Sequence, residues 1–211
     1  MKKIIIALLF SISATALTIA QTSDFEGIIT YKADYSANQD SSKVAQLSYF
    51  FGDSLRVYIK GSAYKQHYVD SKWIQEVTYL PSPNKYYMVF QKFDTLYAVD
   101  CGIADDKYTV TVDTKDRRQI LGYDCIKLVM KGEKSTRTYY FAPELSLSKS
   151  NFSRLKMGGF DLYWMNARAV YLYLRIENQT GIQELKAVKV EGVKLPEKVF
   201  ELLPIPIKDK K

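Results

Sequence analysis

The chain has 211 residues, of which 47% are hydrophobic and 25% charged, values typical of one globular domain and not of a disordered or collagen-like chain. Aromatic residues are abundant, with 17 Tyr and 10 Phe, whereas His occurs once. Since most catalytic triads and zinc sites need a His, we expect neither an enzyme nor a bound metal or cofactor. The formal net charge is +7, but the Lys and Arg residues are spread along the chain and mixed with acidic residues. Since they form no basic stripe, we expect no nucleic-acid partner.

The first 20 residues have the pattern of a signal peptide. A basic start (residues 1–3) precedes an apolar run (residues 4–10), and small residues lead to Ala20 before Gln21. Polar residues interrupt the run too often for a membrane-spanning helix, and no Cys follows it that could carry a lipid anchor. We therefore expect cleavage before Gln21 and a soluble protein, residues 21–211, in the periplasm or outside the cell.

Short apolar–polar alternations between turn signals recur along the mature chain, and this pattern is typical of an antiparallel all-β domain. The predicted strands are residues 25–32, 45–51, 55–60, 63–69, 73–80, 85–93, 96–99, 108–112, 126–130, 137–141, 167–177 and 182–190. Their spacing favours a sandwich or a barrel. Short helices are predicted at residues 150–157, ending at Gly158, and at residues 196–203. Residues 86–90 and 170–174 are apolar on both faces, so both faces should be covered.

The two cysteines, Cys101 and Cys125, lie in a compartment where disulfides persist. If residues 95–101, 107–113 and 119–130 form a simple meander, the middle strand separates them by about 9–10 Å. That distance exceeds the limit of about 7 Å between bridged Cα atoms. A disulfide therefore requires a different strand order or a bend at Gly122, and the sequence leaves both outcomes open.

No local motif carries recognisable chemistry. His67 has no Cys, Ser or acidic residue at a useful spacing, which favours an ordinary strand His. The acidic residues at 105–106 and 113–116 lie where turns are expected and lack the calcium-loop pattern, which favours turn acids. A hydrolase with a pair of carboxylates has no local support.

Three segments resemble a family of exported bacterial proteins related to the LolA/LolB lipoprotein-carrier fold. Residues 119–127 are similar to an I-x-G-Y-x-C-x-K strand, and residues 139–144 resemble the W/Y-Y-x-x-P-E strand end that follows it. Residues 194–204, with Pro196 and Pro204, look like the closing segment of the same group. The resemblance implies an incomplete antiparallel β-barrel, half-open on one side, in which short helices cover an apolar cavity that holds acyl chains.

The leading functional hypothesis is a periplasmic, non-enzymatic carrier of a lipid or another hydrophobic small molecule. Such a carrier needs at least about 300 Å³ of enclosed apolar space. Phe160 and Trp164, after two glycines, are candidates for a lid, and Met88 and Met165 for adaptable contacts. The candidate cavity residues are Leu47, Tyr49, Phe51, Tyr86, Met88, Phe90, Phe160, Trp164, Val170, Leu172 and Leu174.

The alternative is a cell-envelope interaction module, in which a Tyr-rich sheet face binds a protein or a polysaccharide. Tyr has a flat apolar body and a polar tip, so it suits either a cavity or an exposed face. A merely Tyr-rich core is the third explanation of the same composition. Outer-membrane or other envelope proteins are candidate partners, and the chain itself is expected to be a monomer.

Overall fold

A computed structural model describes residues 24–37, 40–148 and 150–210, so the predicted signal peptide and its cleavage site lie outside the described residues. The chain forms one 12-stranded sheet that is not closed into a barrel, which confirms the predicted mainly β, half-open architecture. The helices are α1 (Ser41–Phe51) and α2 (Phe160–Ala167). The strands are β1 (Gly27–Ser36), β2 (Ser54–Lys60), β3 (Ala63–Val69), β4 (Ile74–Leu80), β5 (Lys85–Phe90), β6 (Leu96–Asp100), β7 (Thr109–Ile120), β8 (Tyr123–Lys131), β9 (Ser135–Ser146), β10 (Ala169–Asn178), β11 (Gly181–Gly192) and β12 (Ile207–Asp209).

The sheet consists of two antiparallel meanders joined in the middle. Strands β1 to β6 pair in sequence order, as do β7 to β11, and β1 pairs with β11. The short β12 lies parallel to β6 at one edge of the sheet, and β7 is the other edge.

The connection between β6 and β7 shows why the sheet curls. Ten strand spacings separate these two strands in the sheet, a distance of about 48 Å if the sheet were flat. Only residues 101–108 connect them, and that stretch of chain reaches at most about 32 Å. The sheet must therefore bend towards closure, which gives it an inner and an outer face.

This order corrects the predicted meander of residues 95–101, 107–113 and 119–130. The strand carrying the first of these segments, β6, lies near one edge of the sheet, whereas β7 and β8 lie at the other. Cys101 follows β6 and Cys125 lies on β8, and both are buried free thiols without a disulfide. Burial raises the pKa of Cys101 to about 12 and that of Cys125 to about 11, so both thiols stay protonated at neutral pH.

The predicted strand at residues 45–51 is wrong, because this segment is helix α1. Asp40 caps the helix, and its carboxylate accepts the backbone N–H groups of Ser42 (3.1 Å) and Lys43 (3.2 Å). This cap supplies two of the hydrogen bonds that the first turn lacks. Residues two apart on a helix point about 200° away from each other, so Leu47, Tyr49 and Phe51 cannot share one face of a cavity.

The two short predicted helices are also shifted. Residues 150–154 form turns, and helix α2 begins after the glycines that were expected to end a helix. Gly158 and Gly159 both have positive φ, 70° and 65°, a conformation that glycine adopts without strain. Near the C-terminus, Glu197–Phe200 is a 3-10 turn with Pro196 before it.

Both faces of β5 are covered, as its sequence requires. Tyr86 belongs to the main core on the inner face. Tyr87 and Val89 form a second cluster on the outer face, against Leu202 and Ile205. We call residues 195–206, which supply this cover, the C-terminal strap. On the inner side, residues 150–167, the covering segment, pack against the curled sheet and complete the main core.

Candidate functional site

The interior expected to hold a ligand is filled by the protein itself. Phe152, Phe160 and Trp164 of the covering segment line an apolar cavity of about 20 Å³ together with residues of β2, β3 and β10. The rings of Phe152 and Trp164 stack, with centroids 4.8 Å apart. An acyl chain needs at least about 300 Å³, so this cavity has no room for one.

The predicted cavity residues are only partly brought together. Phe160, Trp164 and Val170 line the small cavity, and Tyr86, Leu172 and Leu174 are buried in the same core. Met88 and Phe90 are half-buried and pack against that core. Met165, expected to contact a ligand, is 55% exposed. Leu47, Tyr49 and Phe51 lie on α1, as described above.

Buried tyrosines account for much of the unusual composition. The hydroxyl of Tyr31 donates to the carbonyl of Tyr171 (2.7 Å), and that of Tyr163 donates to the carbonyl of Ala169 (2.9 Å). Tyr64 and Tyr86 share a hydrogen bond between their hydroxyls. Burial raises the pKa values of Tyr31, Tyr64, Tyr86 and Tyr163 well above 10. A Tyr-rich core is therefore part of the explanation for the Tyr content.

A second set of aromatic residues lies at the surface. Ring centroids are 5.8 Å apart between Tyr49 and Phe50, between Phe50 and Trp73, and between Trp73 and Phe93. Tyr49, Trp73 and Phe93 are 47%, 37% and 45% exposed. We use the name aromatic patch for six residues that a series of pairwise ring contacts connects: Tyr49, Phe50, Trp73, Phe90, Phe93 and Tyr97.

A polar groove adjoins this patch and shares Tyr49 with it. The groove has a volume of about 610 Å³ and lies between the end of α1 and the turns that follow β3 and β5. Its polar lining combines amide groups, charges of both signs and the single histidine: His67, Asp70, Lys72, Gln75, Gln91 and Lys92. Groups of this kind offer both hydrogen-bond donors and acceptors to a ligand.

Hydrogen bonds between neighbouring turns hold the walls of the groove. The buried hydroxyl of Ser71 donates to the carbonyl of Phe50 (2.7 Å) and accepts the N–H of Ile74 (3.0 Å). The N–H of Lys72 donates to the carbonyl of Tyr49 (2.9 Å). Since these bonds tie α1 to the β3–β4 turn, the patch and the groove form one fixed surface.

Of the patch residues, only Tyr49 and Phe90 were candidates from the sequence, and both were expected to line an interior cavity. Trp73, Phe90 and Phe93 lie at strand ends and in turns, and strand alternation says nothing about such positions. Phe50 and Tyr49 were assigned to a strand that is in fact α1. The available signal was the density of aromatic residues beside turns: large apolar side chains in turns are exposed unless another element covers them.

The other candidate residues have structural roles. The carboxylate of Asp106 accepts backbone N–H groups of Lys107, Glu133 and Lys134 at 2.8–3.1 Å. The carboxylate of Asp116 accepts a hydrogen bond from the ammonium group of Lys127 (2.8 Å). This bond and a second one from Tyr140 lower the pKa of Asp116. Within the described residues, no cluster of His, Cys, Asp and Glu could hold a metal ion. Across the same residues, no helix has the length and apolar character that crossing a membrane requires.

Comparison with known proteins supports the fold alone. No protein-family model and no curated protein sequence matches the chain. A structure of PNGF-II matches with a TM-score of 0.52 and 14% identity, over 88% of this chain but only 32% of that one. The chain thus spans about a third of the length of PNGF-II.

Two further structures match this chain over most of their own length. An uncharacterised conserved protein from Thermus thermophilus has a TM-score of 0.50 and 9% identity, over 88% of this chain and 91% of that one. A domain from Vibrio parahaemolyticus, described as an outer membrane lipoprotein-sorting protein, covers 83% and 89% at 11% identity. Its TM-score of 0.29 is too low to indicate a common fold. The expected kinship with lipoprotein carriers therefore stays a prediction.

Proposed function

We propose that the protein is a non-enzymatic binding module of the cell envelope whose site is the aromatic patch with its adjoining groove. The observation that carries this proposal is the exposure of Tyr49, Trp73 and Phe93 in one contiguous cluster. Contiguous apolar surface costs free energy in water, and soluble proteins that keep it use it for binding.

The ligand class that suits this site best is a polysaccharide. A sugar ring has apolar C–H faces that pack on aromatic rings, and hydroxyl groups around its rim that need hydrogen-bond partners. The patch offers the rings, and Gln75, Gln91 and Asp70 in the groove offer the partners. The groove volume of about 610 Å³ falls within the range of about 300–1,000 Å³ that is usual for small-ligand sites.

The test uses Trp73 as its own reporter. The chain has two Trp residues, and Trp164 is buried, so a Trp164→Phe variant leaves Trp73 as the single indole. We expect envelope polysaccharides, peptidoglycan fragments included, to change the fluorescence of Trp73 in a saturable way. In calorimetry with the otherwise unaltered chain, Trp73→Ala and Phe93→Ala should weaken binding at least tenfold.

The matched control is Ile103→Ala, which removes an exposed apolar side chain that is not part of the patch. It should bind polysaccharide as the parent protein does. Equal affinity of parent and Trp73→Ala would overturn the proposal, as would a protein that binds neither a polysaccharide nor an envelope protein. Binding of an envelope protein that depends on Trp73, without any sugar binding, would keep the site but replace its ligand class.

Carriage of a lipid in the interior is a second candidate. Two observations favour it: the positive φ values of Gly158 and Gly159 before α2, and the buried indole N–H of Trp164, which lacks a hydrogen-bond partner within the described residues. A covering segment that swings out at these glycines would open the apolar core. Native mass spectrometry of the purified protein tests this directly, since a carrier should retain a lipid, and a lipid-free protein that takes up no acyl probe is not one.

A further inference from the structure

The two edges of the sheet differ in the length of strand that they expose. The edge next to β6 is covered by β12, which is three residues long. The other edge, β7, has a regular five-residue stretch, Thr109 to Asp113, paired with β8 on one side. On its other side, this stretch has no backbone hydrogen bond to any described residue. The unpaired backbone groups of a long open edge can pair with a strand of another chain, so proteins usually block such edges.

The second half of β7 has features that block pairing with another strand, whereas the first half lacks them. The register shifts between Asp113 and Arg117, and this bulge is rich in charged residues. A charged bulge twists an edge away from pairing. The stretch before it contains two Thr and two Val, residues that favour strands. Val112 is 37% exposed.

In place of the monomer expected from the sequence, we propose that two copies of the chain pair through β7, antiparallel, with the two-fold axis at Val110. This register places Val110 opposite Val110 of the second copy, Thr109 opposite Thr111, and Lys107 opposite Asp113. Lys107 and Asp113 are both exposed. The pairing repeats by symmetry, so it joins opposite charges twice.

The same register also matches the two faces of the strand. Val110 packs against the core and is therefore on the inner face, as are the alternate residues Tyr108 and Val112. Tyr108, which directly precedes β7, would lie opposite Val112 of the second copy, so an aromatic residue would neighbour the exposed side chain of Val112. Thr109 and Thr111 would pair on the outer face, where Thr–Thr pairs are favourable. Charge, apolar neighbours and strand propensity thus agree on one register.

A five-residue strand pair buries little surface, so we expect a weak dimer. Sedimentation velocity of the full chain should show the mass rising towards twice the monomer mass as the concentration approaches about 1 mM. A protein that remains monomeric at that concentration contradicts the proposal.

Cross-linking tests the register. A Val110→Cys variant places two thiols opposite each other at the axis, so a short bis-maleimide should give a covalent dimer. Val112→Cys is the matched control, because its two copies would be separated by about four residues, or about 13 Å. The native Cys101 and Cys125 are buried and give the background of the parent protein. Equal cross-linking at 110 and 112 would rule out this register.

Charge reversal tests the same pairing without cysteines. Lys107→Glu places like charges opposite each other at both ends of the pair and should weaken the dimer at least tenfold. Adding Asp113→Lys restores opposite charges and should restore most of the association. Lys198→Glu, an equal change of charge on the C-terminal strap, should leave association unchanged. If Lys107→Glu and Lys198→Glu behave alike, the dimer is not held by this register.

Discussion

Trp164 stacks on Phe152 at a centroid distance of 4.8 Å, and this pair occupies the space beneath the curled sheet where a ligand was expected. Trp164 is also in edge-to-face contact with Tyr163, at 4.9 Å. Three aromatic rings from the covering segment thus close the interior. Whether the segment serves as a permanent core element or as a lid depends on how firmly these contacts hold it.

Truncating this indole should both destabilise the protein and open its interior. We expect Trp164→Ala to lower the free energy of unfolding by about 3–5 kcal/mol, the usual cost of removing a large buried aromatic side chain. The enlarged apolar cavity should then bind small apolar probes more tightly than the parent does. Denaturant unfolding and probe titration measure the two effects. Met165→Ala, an exposed change on the same helix, should produce neither.

The backbone at Gly52 should tolerate no side chain. Its φ is 69°, and a Cβ atom placed there would lie 2.0 Å from the carbonyl oxygen of Val69. We expect Gly52→Ala to destabilise the fold by at least about 2 kcal/mol, because backbone strain of about 1–3 kcal/mol adds to this collision. Gly61→Ala is the control: Gly61 has a φ of 56° but open space around it, so only about 1–2 kcal/mol of strain remains. Equal losses, measured by denaturant unfolding, would mean that the contact with Val69 does not matter.

The buried tyrosines predict a steep loss of stability at alkaline pH. Burial raises the pKa of Tyr79 to about 12 and that of Tyr31 well above 10. Since the folded state favours the neutral phenol, this contribution is complete below the ordinary pKa of about 10 and is lost as the pH rises above it. Titration followed at the phenolate absorbance should show these groups ionising together with unfolding. A folded protein in which most tyrosines titrate near pH 10 would contradict the structure.

The attachment of the C-terminal strap predicts an acid-sensitive step. The carboxylate of Glu26 accepts the N–H of Leu195 (2.6 Å) and a bond from Lys194 (3.0 Å), and these bonds lower the pKa of Glu26. Their stabilisation is present above the ordinary Glu pKa of about 4.3 and is lost as the pH falls through the lowered value.

Glu26→Gln removes the charge that makes these bonds strong. We expect it to lower the free energy of unfolding by about 1 kcal/mol at neutral pH and to flatten the pH dependence of stability below pH 5. Glu201→Gln, on the same strap, is the control, because Glu201 forms no ion pair with any described residue. Identical pH profiles for the parent and Glu26→Gln would show that Glu26 does not anchor the strap.

The sequence predicted the fold class and most strands, because period-two alternation reports directly on a half-buried pleated surface. The prediction of a strand at residues 45–51 was wrong, because the same alternation occurs there by chance. The segment is a helix that Asp40 caps. It also misplaced β6 relative to β7 and β8. Alternation identifies a strand, but it contains no information about which strand lies beside it.

The candidate site was harder to predict than the fold. Interior positions such as Leu172 and Leu174 were recognised as buried, since they are apolar in a periodic strand. Whether a buried set surrounds a cavity or fills it depends on the covering segment, and its helix begins only after Gly159. Aromatic residues beside turns indicate exposure, but no local pattern reveals that the end of α1 meets the turns after β3 and β5 around Trp73.

The pairing of β1 with β11 also sets the order in which the chain can fold. Gly27 lies opposite Gly192, so the two central strands are almost the whole chain apart in sequence. Each meander has only local connections and can form early, whereas the seam between them must wait until β11 has formed, and pairings this distant slow folding. Until that seam closes, β1 and β11 are open edges themselves, so a substitution that weakens their register would prolong the aggregation-prone stage more than it would alter the finished protein.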